Sequence, residues 1–256
     1  MIFPDDLEER YHTAARLFRP GRRVVAFTGA GISVPSGIPD FRSASSGLWN
    51  TFDPMEVASL TAFRERPQAF FDWLEPLTGQ IFQASPNPAH YALAQLQSSN
   101  RLETIITQNI DGLHQKAGAS DVIELHGNMN HLVCLTCQKI EKVDDYLDRW
   151  LKEHILPVCP RCGAFLKPDI ILYEEMLPVD AWEQAEFSCQ QADVILVAGT
   201  SLEVMPASSL PLEGFQKGAQ IVIMNLTPTF LDSVAEVVLP VDVAKGMPEL
   251  CRQILA

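Results

Sequence analysis

The sequence has little of several features that would restrict its class. No apolar run in its 256 residues approaches the ~20 residues that cross a bilayer, so we expect no membrane partner. Basic residues are scarce: 19 Lys and Arg stand against 32 Asp and Glu. The resulting net charge of −13 argues against direct nucleic-acid binding. Residues 1–10 lack the basic start and apolar stretch of a secretory signal, so a cytoplasmic location is expected.

Cysteine is also sparse, but four of the six cysteines fall into two C-x-x-C pairs. The pair Cys134/Cys137 and the pair Cys159/Cys162 are separated by 21 residues, a spacing typical of a four-thiolate zinc site. Because four protein ligands leave no open coordination position, one structural zinc is predicted rather than a catalytic one. Two redox-active dithiols are the alternative interpretation.

Short apolar runs rich in β-branched residues alternate with stretches of helical spacing along most of the chain. This alternation predicts an α/β fold with a Rossmann-like open parallel sheet and helices on both faces. The predicted strands are 24–28, 102–107, 121–125, 168–173, 193–198, 220–224 and 237–238. Helical stretches between them include 89–96, 182–191 and 248–255.

Two stretches interrupt the alternation. Residues 45–84 are rich in aromatic residues at helical spacing, and residues 131–166 hold all four paired cysteines. We interpret them as a helical insertion and a zinc-ribbon module that together form a smaller domain. The large domain would then comprise residues 1–44, 85–130 and 167–256.

The segment after the first strand, Gly29-Ala30-Gly31, would let the backbone approach a phosphate closely. The third glycine of a dinucleotide fingerprint is absent, since Val34 holds its position. No acidic residue ends the second strand, where a dehydrogenase would hold a ribose. The short motif by itself leaves a plain tight turn and a nucleotide site equally open, and it excludes an ordinary dehydrogenase site.

Longer motifs follow in a distinctive order: GAGISVPSGIPDFR at 29–42, TQNID at 107–111, His126-Gly127, the two cysteine pairs, GTS at 199–201, and Asn225-x-Thr227. This order resembles the sirtuins, the NAD-dependent protein deacylases, over nearly the whole chain. The resemblance implies deacylation, chiefly deacetylation, of lysine side chains in an acyl-lysine protein or peptide. It implies NAD as co-substrate, one structural zinc, and the products nicotinamide, O-acyl-ADP-ribose and free lysine.

Histidine titrates near neutrality and can act as a general base. His126 follows a predicted strand and lies at the carboxyl edge of the sheet, and the resemblance implies that it is the catalytic base. Asn109 would help to position the ribose and a water molecule. His12, His90 and His114 are interpreted as packing or surface residues. A sirtuin-like ADP-ribosyltransferase or NAD glycohydrolase is the alternative function, because it would share the same loop and base.

The resemblance also implies the contacts with NAD. Residues 29–42 would wrap the dinucleotide, with Phe41 over the reacting carbon and Arg42 near phosphate and ribose. The implied NAD-binding residues are Gly29, Ala30, Gly31, Ser33, Ile38, Pro39, Asp40, Phe41, Arg42, Gln108, Asn109, Ile110, Asp111, Gly199, Thr200, Ser201, Asn225, Thr227 and Val243.

An extended substrate peptide would bind between two edges, one at Tyr173, Glu174 and Glu175 and the other at Val204. Glu174 departs from the family, which has glycine there for either a positive φ or clearance. We hypothesise that Glu174 narrows the groove or favours basic peptides, and the alternative is a side chain directed into solvent. Residues 45–84 contain no Tyr-x-x-Arg, so acetyl or longer neutral acyl groups are expected.

Overall fold

The computed structural model describes residues 6–40 and 47–256. The strands are β1 Val24–Thr28, β2 Thr104–Thr107, β3 Val122–Glu124, β4 Gly127–Cys134, β5 Ile140–Lys142, β6 Leu166–Ile170, β7 Val194–Ala198, β8 Gln220–Met224 and β9 Val237–Leu239. The α-helices are α1 Leu7–Ala15, α2 Pro54–Val57, α3 Leu60–Glu65, α4 Pro67–Gln83, α5 Pro88–Ser98, α6 Leu113–Lys116, α7 Asp144–Glu153, α8 Val179–Gln191, α9 Leu210–Gln216 and α10 Val243–Leu255.

Six strands form a parallel sheet in the order β3-β2-β1-β7-β8-β9. All five residues of β1 and all five of β7 are buried, as expected for central strands covered on both faces. Strand order runs in opposite directions from β1 and from β7, so the topological switch point lies between them. The predicted fold class is confirmed, and the switch point marks the place where open α/β sheets bind ligands.

Helices cover both faces of this sheet. On one face α1, α5 and α10 pack against alternate strand residues such as Ala26 and Leu196. On the other face α8 and α9 pack against the intervening residues, such as Phe27 and Val197. Helix α5 begins at a capping box in which Asn87 accepts from the helix backbone and the His90 ring accepts from the backbone N–H of Asn87.

One predicted strand belongs to a different sheet. The run 168–173 was expected in the parallel sheet, but the corresponding strand β6 pairs antiparallel with β4 in a three-stranded sheet of order β5-β4-β6. An apolar run indicates burial and not the direction or identity of the pairing partner, which explains the error. This second sheet begins at Gly127 and ends at Ile170, so it extends beyond the predicted 131–166 module on both sides.

The helical segment α2 to α4 packs against the small sheet and its helix α7. Phe71 of α4 meets the fully buried Trp150 of α7 edge to face, with ring centroids 5.1 Å apart. A single apolar cluster joins these helices to Leu113 and Ile170. Within the described ranges, no helix is both long enough and apolar enough to cross a membrane.

Candidate active site

The turns after β1 and β7 pack directly against each other at the switch point. A Cβ atom on Gly31 would lie 2.8 Å from the carbonyl oxygen of Gly199, and one on Gly29 would lie 2.8 Å from Cβ of Thr200. Gly199 itself has φ of +63°, and a Cβ there would strike the backbone of Ile32. Glycine is therefore required at these positions to bring the two backbone turns to one edge of the sheet.

A buried polar network lies beneath the first turn. The Asn109 amide donates to the carbonyl oxygen of Gly29 and to Oγ of Ser33, both at 3.1 Å. The Ser33 hydroxyl in turn donates to Oδ2 of Asp111 at 2.7 Å. Burial raises the pKa of Asp111 despite hydrogen bonds from the Leu113 backbone and from Ser33 that oppose the rise. These contacts join TQNID to the glycine turn, although the two motifs are far apart in sequence.

His90 and His114, which were interpreted from the sequence as packing or surface residues, lie next to this network. His90 Nε2 is 3.5 Å from Oγ of Ser33. His90 and His114 are both fully buried, with ring centroids 4.9 Å apart. His114 Nε2 lies 3.0 Å from Oγ1 of Thr28, the last residue of β1. Burial lowers the pKa of His90 to about 4 and the pKa of His114 to about 3, so both rings are neutral at pH 7. The contact between His90 and His114 could not be predicted from the sequence, because it depends on how α5 packs against α6.

His126 lies between the two sheets, after β3 and immediately before β4. Its Nδ1 is 2.9 Å from the carbonyl oxygen of Gln108. Because a carbonyl oxygen only accepts, Nδ1 carries the proton, and the neutral ring presents the lone pair of Nε2. The His126 carbonyl oxygen accepts the backbone N–H of Ile171 at 2.9 Å. The side chain is half-buried and faces the cleft, which is the geometry that a general base requires.

A cleft of about 1150 Å³ runs between the carboxyl edge of the parallel sheet and the smaller sheet with its helices. It exceeds the ~300–1,000 Å³ of most small-molecule pockets, so it has room for a dinucleotide and part of a peptide. It brings together His126 and, within 6–40 and 47–256, every residue predicted to contact NAD or substrate. Phe41 and Arg42 lie outside the described residues.

Polar groups continue along the sheet edge beyond the glycine turns. Gln108 Nε2 donates to Oγ1 of Thr200 at 3.2 Å, which ties the ends of β2 and β7 together. Past the end of β8, the Asn225 amide donates to the carbonyl oxygen of Thr227 at 2.8 Å. Val243 begins α10 at the far end of the cleft, directly after the helix-capping Asp242. The edge therefore offers hydroxyls and amides over the length of the cleft.

The opposite wall of the cleft is apolar. Helix α4 contributes Leu74, Leu77 and Ile81, which recur at helical spacing and share one face. Trp49 and Trp73 lie on the same side of the cleft, and their rings stack with centroids 5.8 Å apart. The lack of Tyr-x-x-Arg in this segment was noted from the sequence, but the residues of the apolar wall were not named. The helical spacing of Leu74, Leu77 and Ile81 could have indicated them.

The segment 172–175 forms a tight turn at the mouth of the cleft. The Glu175 backbone N–H donates to the Leu172 carbonyl oxygen at 3.1 Å, and Glu174 has φ of +74°. A positive φ favours glycine, which explains why the sirtuins have glycine where this chain has Glu174. The Glu174 side chain is exposed, but its Oε2 accepts the backbone N–H of Thr61 at 2.8 Å, in the first turn of α3.

The four paired cysteines converge in the small sheet. Their sulfur atoms all lie within 4.8 Å of one another, with Cys134–Cys162 at 3.4 Å and Cys137–Cys159 at 3.6 Å. Thiolates at ~2.3 Å from a tetrahedral zinc lie about 3.8 Å from one another, so this donor set fits one zinc ion. All four positions are protein ligands and the cluster lies outside the cleft lining, as a structural site requires.

Comparison with known proteins gives a consistent result. The profile of the Sir2 family matches residues 29–206. The chain is 38% identical to NAD-dependent protein deacylase 2 of Archaeoglobus fulgidus over 249 residues, covering 97% of each chain. It is 43% identical to the NAD-dependent protein deacetylase of Sulfurisphaera tokodaii over 224 residues, covering 88% of each chain.

Solved structures agree with this relationship. A structure of a Sir2 enzyme superposes with a TM-score of 0.90 at 36% identity, covering 97% of this chain and 98% of that one. A Sir2 complex with p53 peptide and NAD⁺ superposes with a TM-score of 0.85 at 36% identity, covering 93% and 95%.

Proposed function

Because the chain belongs to the Sir2 family, we propose that its cleft removes acyl groups, chiefly acetyl groups, from lysine side chains of proteins at the expense of NAD. One observation supports this most directly: His126 and the Gly29–Ser33 turn face the same cleft at the switch point of the sheet. The four-cysteine cluster lies outside the cleft lining, so the zinc that it would hold is separate from the proposed base and NAD site. A cytoplasmic location and the predicted division into two domains stay predictions.

NAD would lie along the carboxyl edge of the parallel sheet. The turns at Gly29–Gly31 and Gly199–Ser201 would hold the phosphates through backbone N–H groups. Asn225, Thr227 and Val243 would hold the adenosine side, and Gln108 would hold ribose hydroxyls. NAD supplies the ribose carbon that accepts the acyl oxygen when nicotinamide departs.

The nicotinamide would sit over the buried polar network. Asn109 and Asp111 follow the end of β2 and line the cleft together with Ile38. The carboxamide of nicotinamide has an N–H₂ donor and an oxygen acceptor. The Asn109 amide and the neighbouring Asp111 carboxyl group could hydrogen-bond to both. Asp40, Pro39, Ala30 and Ile110 would enclose the same end of the cleft.

His126 acts as the base. Its Nδ1–H is held by the Gln108 carbonyl oxygen, so Nε2 is the atom that accepts a proton from a ribose hydroxyl. The same contact stabilises the imidazolium once formed, because Nδ1 keeps its acceptor. Asn109 would position the ribose and the attacking water.

The acylated peptide would add as a strand between the segment 173–175 and Val204. The backbone N–H of Tyr173 donates to the Ala58 carbonyl oxygen, and its own carbonyl oxygen accepts the Leu60 N–H, which fixes the position of that edge. The backbone N–H groups of Val204 and Met205 have no hydrogen-bond acceptor among the described residues, so they can bind peptide carbonyl oxygens. Backbone pairing gives affinity with little sequence preference, and the acyl chain would extend toward the apolar wall at α4.

The products of the reaction test this function. Incubated with NAD and an acetyl-lysine peptide, the protein should release nicotinamide and deacetylated peptide in equal amounts, with O-acetyl-ADP-ribose, as measured by mass spectrometry. Omission of the peptide should abolish most nicotinamide release. Nicotinamide release that does not depend on the peptide would instead indicate an NAD glycohydrolase, and transfer of ADP-ribose to protein would indicate an ADP-ribosyltransferase.

Glu174 should favour peptides with basic residues beside the acyl-lysine. An exposed ion pair is worth ~0.2–1 kcal/mol, so Glu174→Gln should lower kcat/KM for an arginine-flanked peptide by about 1.4- to fivefold and leave a neutral peptide unchanged. Glutamine keeps the volume and can still accept from Thr61, which isolates the charge. Glu174→Gly separately tests clearance, since it removes the side chain at a φ that glycine adopts freely. Equal effects on both peptides would refute a role of the charge.

A further inference from the structure

A buried ion pair lies directly behind the peptide edge of the cleft. Lys167 in β6 is 4% exposed, and its Nζ donates to Oε2 of Glu175 at 2.9 Å and to the Ile170 carbonyl oxygen at 2.6 Å. The same Glu175 oxygen accepts the backbone N–H of Leu172 at 2.9 Å. A lysine is rarely buried unless it is paired and hydrogen-bonded, and here both conditions are met.

This ion pair links the two ends of the segment 167–175, where the chain leaves β6 of the small sheet. Lys167 lies before the turn and Glu175 at its end, so their contact and the Leu172 hydrogen bond hold the turn at both sides. Tyr173, which belongs to the proposed peptide edge, lies inside the closed segment and pairs with Ala58 and Leu60. The position of that edge therefore depends on a buried lysine and on a partly buried glutamate that also lines the cleft.

The same segment holds the catalytic histidine. Ile171, within the closed segment, donates its backbone N–H to the His126 carbonyl oxygen at 2.9 Å. Gly127 pairs with Ile170, and a Cβ on Gly127 would collide with the Asp169 carbonyl oxygen, so the two backbones are in close contact. A shift of the 170–172 backbone would therefore move the imidazole as well as the peptide edge.

We propose that Lys167 and Glu175 are positioning residues. They hold the 170–172 backbone in place and thereby fix the position of His126 relative to the peptide edge at Tyr173. The inference rests on the proposed roles of His126 and of the Tyr173 edge. The glycine turns after β1 and β7 follow strands of the other sheet, and among the described residues neither Lys167 nor Glu175 hydrogen-bonds to them. NAD binding should thus be separable from peptide turnover, which a general loss of stability would not achieve.

Kinetics of Lys167→Met test the proposal. Methionine keeps most of the side-chain volume and removes the charge, and displacement of reacting groups by about 1 Å can cost on the order of 10²-fold in rate. We expect kcat/KM for acetyl peptide at saturating NAD to fall about tenfold or more. The Kd for NAD, measured by isothermal titration calorimetry, should stay within about twofold of the wild type. Lys152→Met, which removes an exposed lysine of α7 paired with Asp148, is the matched control and should leave both values unchanged.

Glu175→Gln provides a second, milder variant in case Lys167→Met does not fold. Glutamine keeps an oxygen that can accept from Leu172 and Lys167, so we expect at least a threefold loss of peptide kcat/KM. If the pair acts as a unit, the double variant should lose less than the product of the two single losses. Multiplicative losses, wild-type kinetics in folded variants, or parallel weakening of NAD and peptide would each overturn the proposal. If His126→Ala stayed active in the same assay, the proposed base would fail instead, and the two failures can be told apart.

Discussion

His126→Ala is expected to lower kcat for peptide deacylation by about 10²–10⁴-fold, the contribution of a positioned general base. The ring is held by the Gln108 carbonyl oxygen so that Nε2 accepts the proton, and alanine leaves no group there that can do so. Folding should persist, because the side chain is half-buried in an open cleft and not in a packed core. Steady-state kinetics with saturating NAD and peptide measure the effect.

The NAD affinity of this variant should change little. The polar groups that would hold the dinucleotide come mainly from the turns after β1 and β7, which do not depend on the imidazole. His12→Ala is a suitable control, because that side chain lies in α1 and is exposed. A His126→Ala protein with more than about a fifth of wild-type kcat would contradict the assigned role, whatever its NAD affinity.

Removal of zinc should unfold the small sheet and abolish activity. Structural zinc supplies on the order of 10 kcal/mol to small metal-dependent folds, and the apolar cluster beside the cysteines holds only a few side chains, among them Leu132 and Leu166. We expect Cys159→Ser to lose bound zinc and to lower the melting temperature by about 10 °C or more, since ~1 kcal/mol shifts Tm by 2–4 °C at this size. Elemental analysis and thermal unfolding measure the two effects.

Activity should fall with stability in this case, because β4 begins at Gly127, directly after the base, and ends at the zinc ligand Cys134. Cys189→Ala removes a cysteine outside the cluster and should retain one zinc per chain. If the purified protein held no zinc, and if oxidation closed the two C-x-x-C pairs without loss of Tm, the redox interpretation would replace the metal site.

The central parallel strands were the most predictable part of the fold. β1 and β8 span the predicted residues, because a fully buried strand appears in the sequence as an unbroken apolar run. β4 was not predicted, since its residues alternate between buried and exposed without a strong β-branched pattern. β6 was predicted but assigned to the wrong sheet, because pairing partners are set by tertiary contacts that lie outside any local window.

The candidate site was predictable where its residues form motifs and unpredictable where distant side chains meet. The segments 29–40 and 107–111 were predicted to bind NAD from the resemblance to the sirtuins, and residues of both segments line one cleft. The contact between the His90 and His114 rings and the Lys167–Glu175 pair left no local pattern in the sequence, since each depends on how separate elements pack. Lysine and glutamate eight residues apart across a turn look like ordinary surface charges until the turn is known.

His126, the proposed base, is anchored to both sheets. Its side chain is anchored to the Gln108 carbonyl oxygen after β2, and its backbone is anchored to Ile171 after β6. Only Leu125 and His126 separate the last residue of β3 from the first residue of β4. Any change in the angle between the two sheets would therefore alter the backbone torsions at Leu125 and His126, and with them the direction in which the proposed proton acceptor points.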